Sequence, residues 1–344
     1  MANNNIRLII EENIPFVKGL LDPYATVKYL SPDDITPKAV REVDGLMIRT
    51  RTRCDEELLR KSDIKLIATA TIGTDHIDAD YCADHSITVV NAPGCNAPAV
   101  AQYVFATLLN VINRPLGAHT IGIVGLGHVG SIVARWAEGF DMKVLRCDPF
   151  RQEAEGGDGW CDLDTIAREA DIITFHTPLT KDGPHPTYHM ADETFFGKLR
   201  RAPIIINSAR GSIIDTQALI DARRQGKTGP LIIDCWEGEP AINRELLELT
   251  HIATPHIAGY SKEGKIRASQ IAIDAMTTFF MMPRVTIDVP LPPAPASTVS
   301  KNSVLESYDP MPESKALKAS PADFEKLRNS YPLRHETPQG SDFY

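Results

Sequence analysis

Along the chain, short apolar runs alternate with stretches whose apolar residues recur every three or four positions. Runs at 6–10, 26–29, 46–48, 66–69 and 88–90 read as buried strands, and 15–21, 56–60 and 79–83 read as the helices between them. A long, largely apolar helix is expected over 99–112. The alternation then begins again. Strands are expected at 121–124, 143–147, 172–176, 203–207, 231–235 and 252–254, with helices at 129–139, 164–169, 193–199, 215–225 and 244–249. A long helix over 262–282 follows. Such alternation builds parallel sheets with helices on both faces. The expected class is α/β, with two Rossmann-like or flavodoxin-like parallel-sheet domains, a cleft between them and a short C-terminal extension.

Past residue 282 the texture changes. Pro283, Pro290, Pro292, Pro293, Pro295, Ser297 and Ser300 mark a linker, and residues 301–344 carry few apolar positions. Only 324–327 suggests a helical turn or two. A tail of this composition cannot bury a core alone, so it is expected to be disordered or to lie on a partner.

The most informative stretch joins the two series. An apolar run at 121–124 leads into Gly125, Gly127 and Gly130 in G-x-G-x-x-G spacing. A helical pattern follows, then a second strand that ends at Asp148, 21 residues after Gly127. Gly125 permits the tight turn, Gly127 lets a pyrophosphate approach the backbone, and Gly130 lets helix and strand pack closely. The helix N-terminus offers free N–H groups to the anion. Asp148 stands where an acid accepts hydrogen bonds from an adenosine ribose and repels a 2′-phosphate, which selects NAD over NADP. Arg151 is a mild counter-signal, read as a solvated loop charge.

A formal net charge of −9 over 344 residues argues against broad nucleic-acid binding, though local arginines can still hold a small anionic substrate. The six cysteines are scattered without a C-x-x-C pair, which suits a reducing, cytoplasmic setting and no disulfide framework. Residues 86–113 carry no charge, but Pro93, Pro98, Gln102 and Asn110 interrupt them, so a buried helix is expected rather than a membrane span. His76, His176, His185 and His189 lack ligand spacing, and no metal is expected.

Three further motifs each follow an apolar strand of the second series: NSARG at 207–211, DCWEGEP at 234–240 and PHIAGY at 255–260. In an open α/β sheet, the crevice at the carboxyl ends of the strands is the binding site. This set resembles the D-isomer-specific 2-hydroxyacid dehydrogenases over roughly residues 6–282. GTDHID at 73–78 with PGCNA at 93–97, FHTPLTKDGPHPTYHM at 175–190, and DCWEGEP running on to PHIAGYSKEGK resemble one branch of that family. That branch serves vitamin B6 biosynthesis and oxidises a phosphorylated four-carbon 2-hydroxy acid. The segment 322–336 resembles the branch's dimerisation region, here short.

The resemblance implies a substrate-binding domain from 1–98 and 262–282, an NAD-binding domain at 99–261, and a linker with a dimerisation segment at 283–344. Crossings near Pro98 and at 259–261 would act as hinges. It implies that Arg210 grips the substrate carboxylate and C2 oxygen, that His256 exchanges the C2-hydroxyl proton, and that Glu239 bonds His256 and fixes its tautomer. By position alone Glu237 is as near a candidate as Glu239. Asp234 would bind the nicotinamide carboxamide, Thr177 and Gly259 would lie beside the cofactor, and Thr50, Thr71 and Tyr260 would touch substrate. Arg49, Arg51 and Arg53 alternate along an extended stretch and could share one face as an anion patch. The partners implied are a small anionic, phosphorylated 2-hydroxy acid and a second copy of the chain. Rival readings are another hydroxy acid, such as 3-phosphoglycerate, or a non-catalytic NAD(H) sensor acting as a corepressor.

Overall fold

The computed structural model describes residues 6–289 and 300–336. They fall into two compact units, one drawn from 1–96 and 262–292, the other from 97–261 and 293–344. The expected linker residues Pro290, Pro292, Pro293, Pro295 and Ser297 lie outside the described residues.

In the first unit, β1 (Arg7–Glu11), β2 (Thr26–Leu30), β3 (Gly45–Ile48), β4 (Leu66–Thr69) and β5 (Thr88–Val90) pair in parallel in the order β2-β1-β3-β4-β5. This is the flavodoxin-like order. Successive side chains of a strand point to opposite faces. Leu8 and Ile10 therefore enter one core while Ile9 enters the other. The helix Lys262–Phe279 buries Ala268, Ala272, Ile273 and Met276 in the first of these cores. Residues 15–21 form turns rather than the expected helix, because Phe16 and Gly19 adopt φ of 65° and 84°, outside the helical region.

In the second unit, β6 (Thr120–Val124), β7 (Lys143–Cys147), β8 (Ile172–Phe175), β9 (Ile204–Asn207), β10 (Leu231–Ile233) and β11 (Ile252–Ala253) form a parallel sheet in the order β11-β10-β9-β8-β6-β7. A single parallel bridge from Arg146 to Trp160 continues it beyond β7. With that bridge counted as the third strand, the order from this edge is 3-2-1-4-5-6, with β11 added as a seventh. The two mononucleotide-binding halves are present, but the third strand has shrunk to one residue pair, too short to show as an apolar run. The register aligns the strand ends. Val124 lies opposite Cys147 and Phe175, Phe175 opposite Asn207, Asn207 opposite Ile233, and Ile233 opposite Ala253. The segments that follow these residues therefore leave the sheet along one edge.

The tail departs from expectation. Helices Lys301–Ser307, Met311–Ala319 and Phe324–Asn329 pack on the second unit. Val304 and Tyr308 join the core under helix Ala97–Val111, while Leu317 and Phe324 join the core on the opposite sheet face. An edge strand presents unpaired backbone groups, and here the tail covers them. Ser314 Oγ accepts from Ala253 N at 3.0 Å. Over residues 300–336 the tail is thus folded on its own chain: its few apolar residues are completed by a core that the sheet already provides. Among the described residues, no helix is long and apolar enough to cross a membrane.

Candidate active site

The glycine loop leaves β6 with two steric demands and one open side. Gly125 has φ of 88°, a left-handed conformation disfavoured for side chains. A Cβ there would also lie 2.8 Å from Thr177 Cγ2, so Thr177, after β8, sits directly across from the turn. A Cβ on Gly130 would lie 2.0 Å from Gly125 O, which fixes the close helix–strand packing. A Cβ on Gly127 would meet nothing within 4 Å. Gly127 caps the 12-residue helix His128–Gly139 without a side-chain hydrogen bond. Its open side and the helix N-terminus make an anion cradle that fits a dinucleotide pyrophosphate.

Asp148 follows β7 and does two structural jobs. Oδ2 accepts from Leu126 N at 2.8 Å, bracing the glycine loop, and Oδ1 accepts from Arg151 N at 3.1 Å, capping helix Pro149–Glu155. Each oxygen retains acceptor capacity for a ribose hydroxyl. Arg151 is not the solvated loop charge expected. Its guanidinium donates to Leu126 O at 2.9 Å, Ser131 Oγ at 3.2 Å and Glu155 Oε1 at 2.7 Å, and lies 5.2 Å from the Trp160 ring centre. The helix Pro149–Glu155, absent from the sequence reading, places it there.

After β9, buried Asn207 shapes the loop that carries Arg210. Its Nδ2 donates to Arg210 O at 2.9 Å and its Oδ1 accepts from Ala209 N at 3.2 Å. Gly211 is required by close approach, since a Cβ would lie 2.0 Å from the Trp236 carbonyl carbon. Both residues belong to the NSARG motif, yet nothing in the sequence reveals these backbone contacts.

After β10 and β11 the loops bring Glu239 and His256 together. Glu239 Oε2 lies 2.8 Å from His256 Nδ1, and Glu239 Oε1 accepts from Trp236 N at 2.7 Å. Burial alone would raise the Glu239 carboxyl. The facing His256, the hydrogen bond to it and the Trp236 amide outweigh burial and hold it below its ordinary 4.5. Glu237 is excluded as the partner because its Oε1 is 2.6 Å from His189 Nε2 and its Oε2 accepts from Thr216 N. His256 itself has φ of 56°, the left-handed region uncommon for a residue with a side chain.

Asp234 is only 1% exposed. Its Oδ1 accepts from Thr254 Oγ1 at 2.7 Å and Ile257 N at 2.8 Å, and its Oδ2 accepts from Ala258 N at 3.0 Å. Burial raises its carboxyl above the usual range against the pull of these donors and of His256. The carboxylate expected to bind the nicotinamide carboxamide thus also braces the His256 loop. Gly259 closes that loop. Cys235, Glu239 and His256 bring ligand atoms within 4.8 Å of one another. Burial drives the Cys235 thiol well above its ordinary range, and the Glu239 and His256 atoms of this cluster already face one another at 2.8 Å.

The expected substrate contacts divide between the units. Tyr260 stands in the second, its hydroxyl accepting from Arg328 Nε at 3.2 Å. Thr50 is exposed in the first, and Thr71 donates to Gly73 O at 3.1 Å beside Thr69. Arg49, Arg51 and Arg53 do not form one extended face. A turn interrupts 50–52, Arg49 Nη1 donates to Asn13 O at 3.2 Å, and Arg53 Nε pairs with Asp55 at 2.8 Å. The tail contributes Arg328 and Arg334 to the surroundings of His256. Both lie in the segment 322–336, which the resemblance marked for dimerisation and not for the site.

Comparison with known proteins gives the family. Residues 105–258 match the family model described as D-isomer specific 2-hydroxyacid dehydrogenase, NAD binding domain. The chain is 46% identical to an erythronate-4-phosphate dehydrogenase of Bacteroides thetaiotaomicron over 340 residues, 96% of this chain and 97% of the relative. It is 40% identical to an erythronate-4-phosphate dehydrogenase of Porphyromonas gingivalis, covering 96% and 94%. Among solved structures, a D-lactate dehydrogenase from Aquifex aeolicus complexed with NAD and lactic acid matches with a TM-score of 0.69 at 28% identity, covering 80% of this chain and 95% of that one. An NAD+-bound 3-phosphoglycerate dehydrogenase of Entamoeba histolytica matches with a TM-score of 0.68 at 27% identity, covering 84% and 99%.

Proposed function

Because the chain belongs to the erythronate-4-phosphate dehydrogenases, within the D-isomer-specific 2-hydroxyacid dehydrogenases, we propose that it oxidises 4-phospho-D-erythronate to (R)-3-hydroxy-2-oxo-4-phosphooxybutanoate with NAD. The observation that carries the reading is the Glu239–His256 pair, held at 2.8 Å on the same sheet edge as the Arg210 loop and the glycine cradle. Bound NAD supplies the acceptor for the C2 hydride. The chain supplies the rest. Glu239 accepts the Nδ1 proton of His256, leaving Nε2 as the basic atom, and Nε2 takes the C2-hydroxyl proton. Arg210 presents a planar fork to the carboxylate and the C2 oxygen, holding C2 in one orientation. Thr177 and Gly259 line the cofactor, Asp148 accepts from its ribose, and Thr50, Thr71 and Tyr260 contact substrate.

The same reading includes a phosphorylated substrate, a homodimer, a cytoplasmic setting and a place in vitamin B6 synthesis. The six described cysteines, all free, suit a reducing compartment. A sensor would need no proton-transfer pair, so the retained Glu239 and His256 disfavour the corepressor reading. The test is a panel of 2-hydroxy acids, phosphorylated and not, followed by NADH absorbance. Turnover clearly best with 4-phosphoerythronate is expected, and a better substrate among the others would displace the assignment. Light scattering decides the dimer, with a mass of one chain counting against it.

A further inference from the structure

We infer that Arg334, carried by the C-terminal tail, is a positioning residue for His256 that clamps the loop 257–260 from the side opposite Asp234. This rests on the proposed role of His256 in proton transfer.

Arg334 is only 9% exposed, and its guanidinium meets six oxygens. Three are carbonyls of the His256 loop. Nη1 donates to Ile257 O at 3.1 Å and Tyr260 O at 3.0 Å, and Nη2 donates to Ala258 O at 2.5 Å. Two tie the loop to helix Ala97–Val111, through Ala99 O at 3.1 Å and Gln102 Oε1 at 2.9 Å. The sixth is the Tyr331 hydroxyl at 3.2 Å, and the guanidinium carbon lies 4.1 Å from the centre of the Tyr308 ring. Next along the chain, Glu336 Oε1 accepts from Ser261 Oγ at 2.6 Å, and Ser261 and Arg334 form a parallel bridge.

The loop is therefore held between two buried charges of opposite sign. Asp234 takes the N–H groups of Ile257 and Ala258, and its own carbonyl accepts from His256 N at 2.9 Å. Arg334 takes the carbonyls of the same residues. A backbone with φ of 56° at His256 is strained and persists only where its surroundings over-determine it. The Asp234 carboxylate cannot engage carbonyls, so it holds only half of the loop's polar groups. Arg334 holds much of the other half. The planar, five-donor fork suits this task and a lysine does not, because an ammonium has three donors in a compact head. Small misplacement of a catalytic group costs up to about a hundredfold in rate.

The test compares Arg334→Ala and Arg334→Lys with wild type in the full chain. With the best substrate of the hydroxy-acid panel, kcat is expected to fall by about 10- to 100-fold in both. NADH affinity by fluorescence titration should change little, and added guanidinium ion should partly restore kcat in Arg334→Ala. Hydrogen exchange followed by mass spectrometry should accelerate in 255–261 but not in 128–139, whatever acid proves to be the substrate. If Arg334→Ala does not fold, the same readouts on Arg334→Lys decide. Unchanged kcat with unchanged exchange at 255–261 overturns the inference. So does a kcat loss that guanidinium cannot reverse and that matches an equal loss of NADH-binding sites, the mark of a merely structural residue. A wild-type enzyme that prefers another acid overturns the substrate reading alone, and inactivity on every acid overturns the reaction, while the exchange comparison still judges the clamp.

Discussion

Glu239 Oε2 and His256 Nδ1 stand 2.8 Å apart although 17 residues separate them. They meet because β10 and β11 are register neighbours and their following loops leave the sheet side by side. The contact engages Nδ1 and leaves Nε2 as the nitrogen for the proposed proton transfer. His256→Asn should lower turnover by at least ~10²-fold, the range general acid–base groups contribute, with NADH binding preserved. NADH absorbance and fluorescence titration measure the two, and near-normal turnover would assign the proton to another group.

The two reaction directions should respond oppositely to pH. Oxidation requires the neutral ring and reduction requires the imidazolium, so oxidative kcat/KM should fall toward acid and reductive kcat/KM toward base. Glu239, held below its ordinary 4.5, keeps its charge across the neutral range. Glu239→Gln should therefore slow both directions near neutrality. Profiles sharing one limb would show that His256 does not carry the proton.

Arg210 is expected to act as a fork rather than a point charge. A hydrogen bond to a charged group contributes about 1.5–3 kcal/mol, so Arg210→Lys should cost ~10- to 100-fold in kcat/KM. Initial-rate kinetics over a substrate series test this, and a change below threefold would remove Arg210 from the carboxylate.

Asp148 is a brace of the glycine loop with a proposed recognition role, and cofactor preference tests the second. Asp148→Asn keeps one acceptor for the helix N-cap but presents an NH2 group where Oδ2 accepts from Leu126 N, so one of the two hydrogen bonds is lost and stability should fall by about 1 kcal/mol. It should still narrow the preference for NAD over NADP, because the repelling charge is gone. Asp148→Ala should lose both, with about 1 kcal/mol of stability from the cap. An unchanged cofactor ratio in either variant would exclude the ribose role.

His176 should contribute to acid sensitivity. Burial lowers its pKa from 6.5 to about 3. The unfolded chain thus binds a proton that the folded chain does not between these values, and stability falls as pH drops from 6.5 toward 3. The contribution is complete above 6.5. Urea midpoints measured from pH 7 to 4 should decline less steeply in His176→Asn. An identical slope would show that the ring takes its proton without unfolding.

Much of the site was legible from the sequence. Residues that follow apolar strands in a parallel sheet must emerge at one edge, so the glycine loop, Asp148, Arg210, Asp234 and His256 could be grouped from order and motif alone. The glycine spacing also specified the turn chemistry, because Gly125 and Gly130 meet steric requirements that only glycine satisfies, while Gly127 leaves its side of the loop open. Tertiary structure decided what depends on which atoms meet. It chose Glu239 over Glu237, since His189 engages the latter. It made Asp234 a brace of the His256 loop as well and engaged Arg151 at the glycine loop. It also docked the tail, whose buried residues Val304, Tyr308, Leu317 and Phe324 are too sparse to announce a core. Their apolar partners belong to cores on the two faces of a sheet formed by residues up to two hundred positions earlier. Local periodicity records which face of an element is apolar. It does not record that an edge strand remains uncovered, or that a guanidinium near the chain's end will reach the carbonyls beside His256.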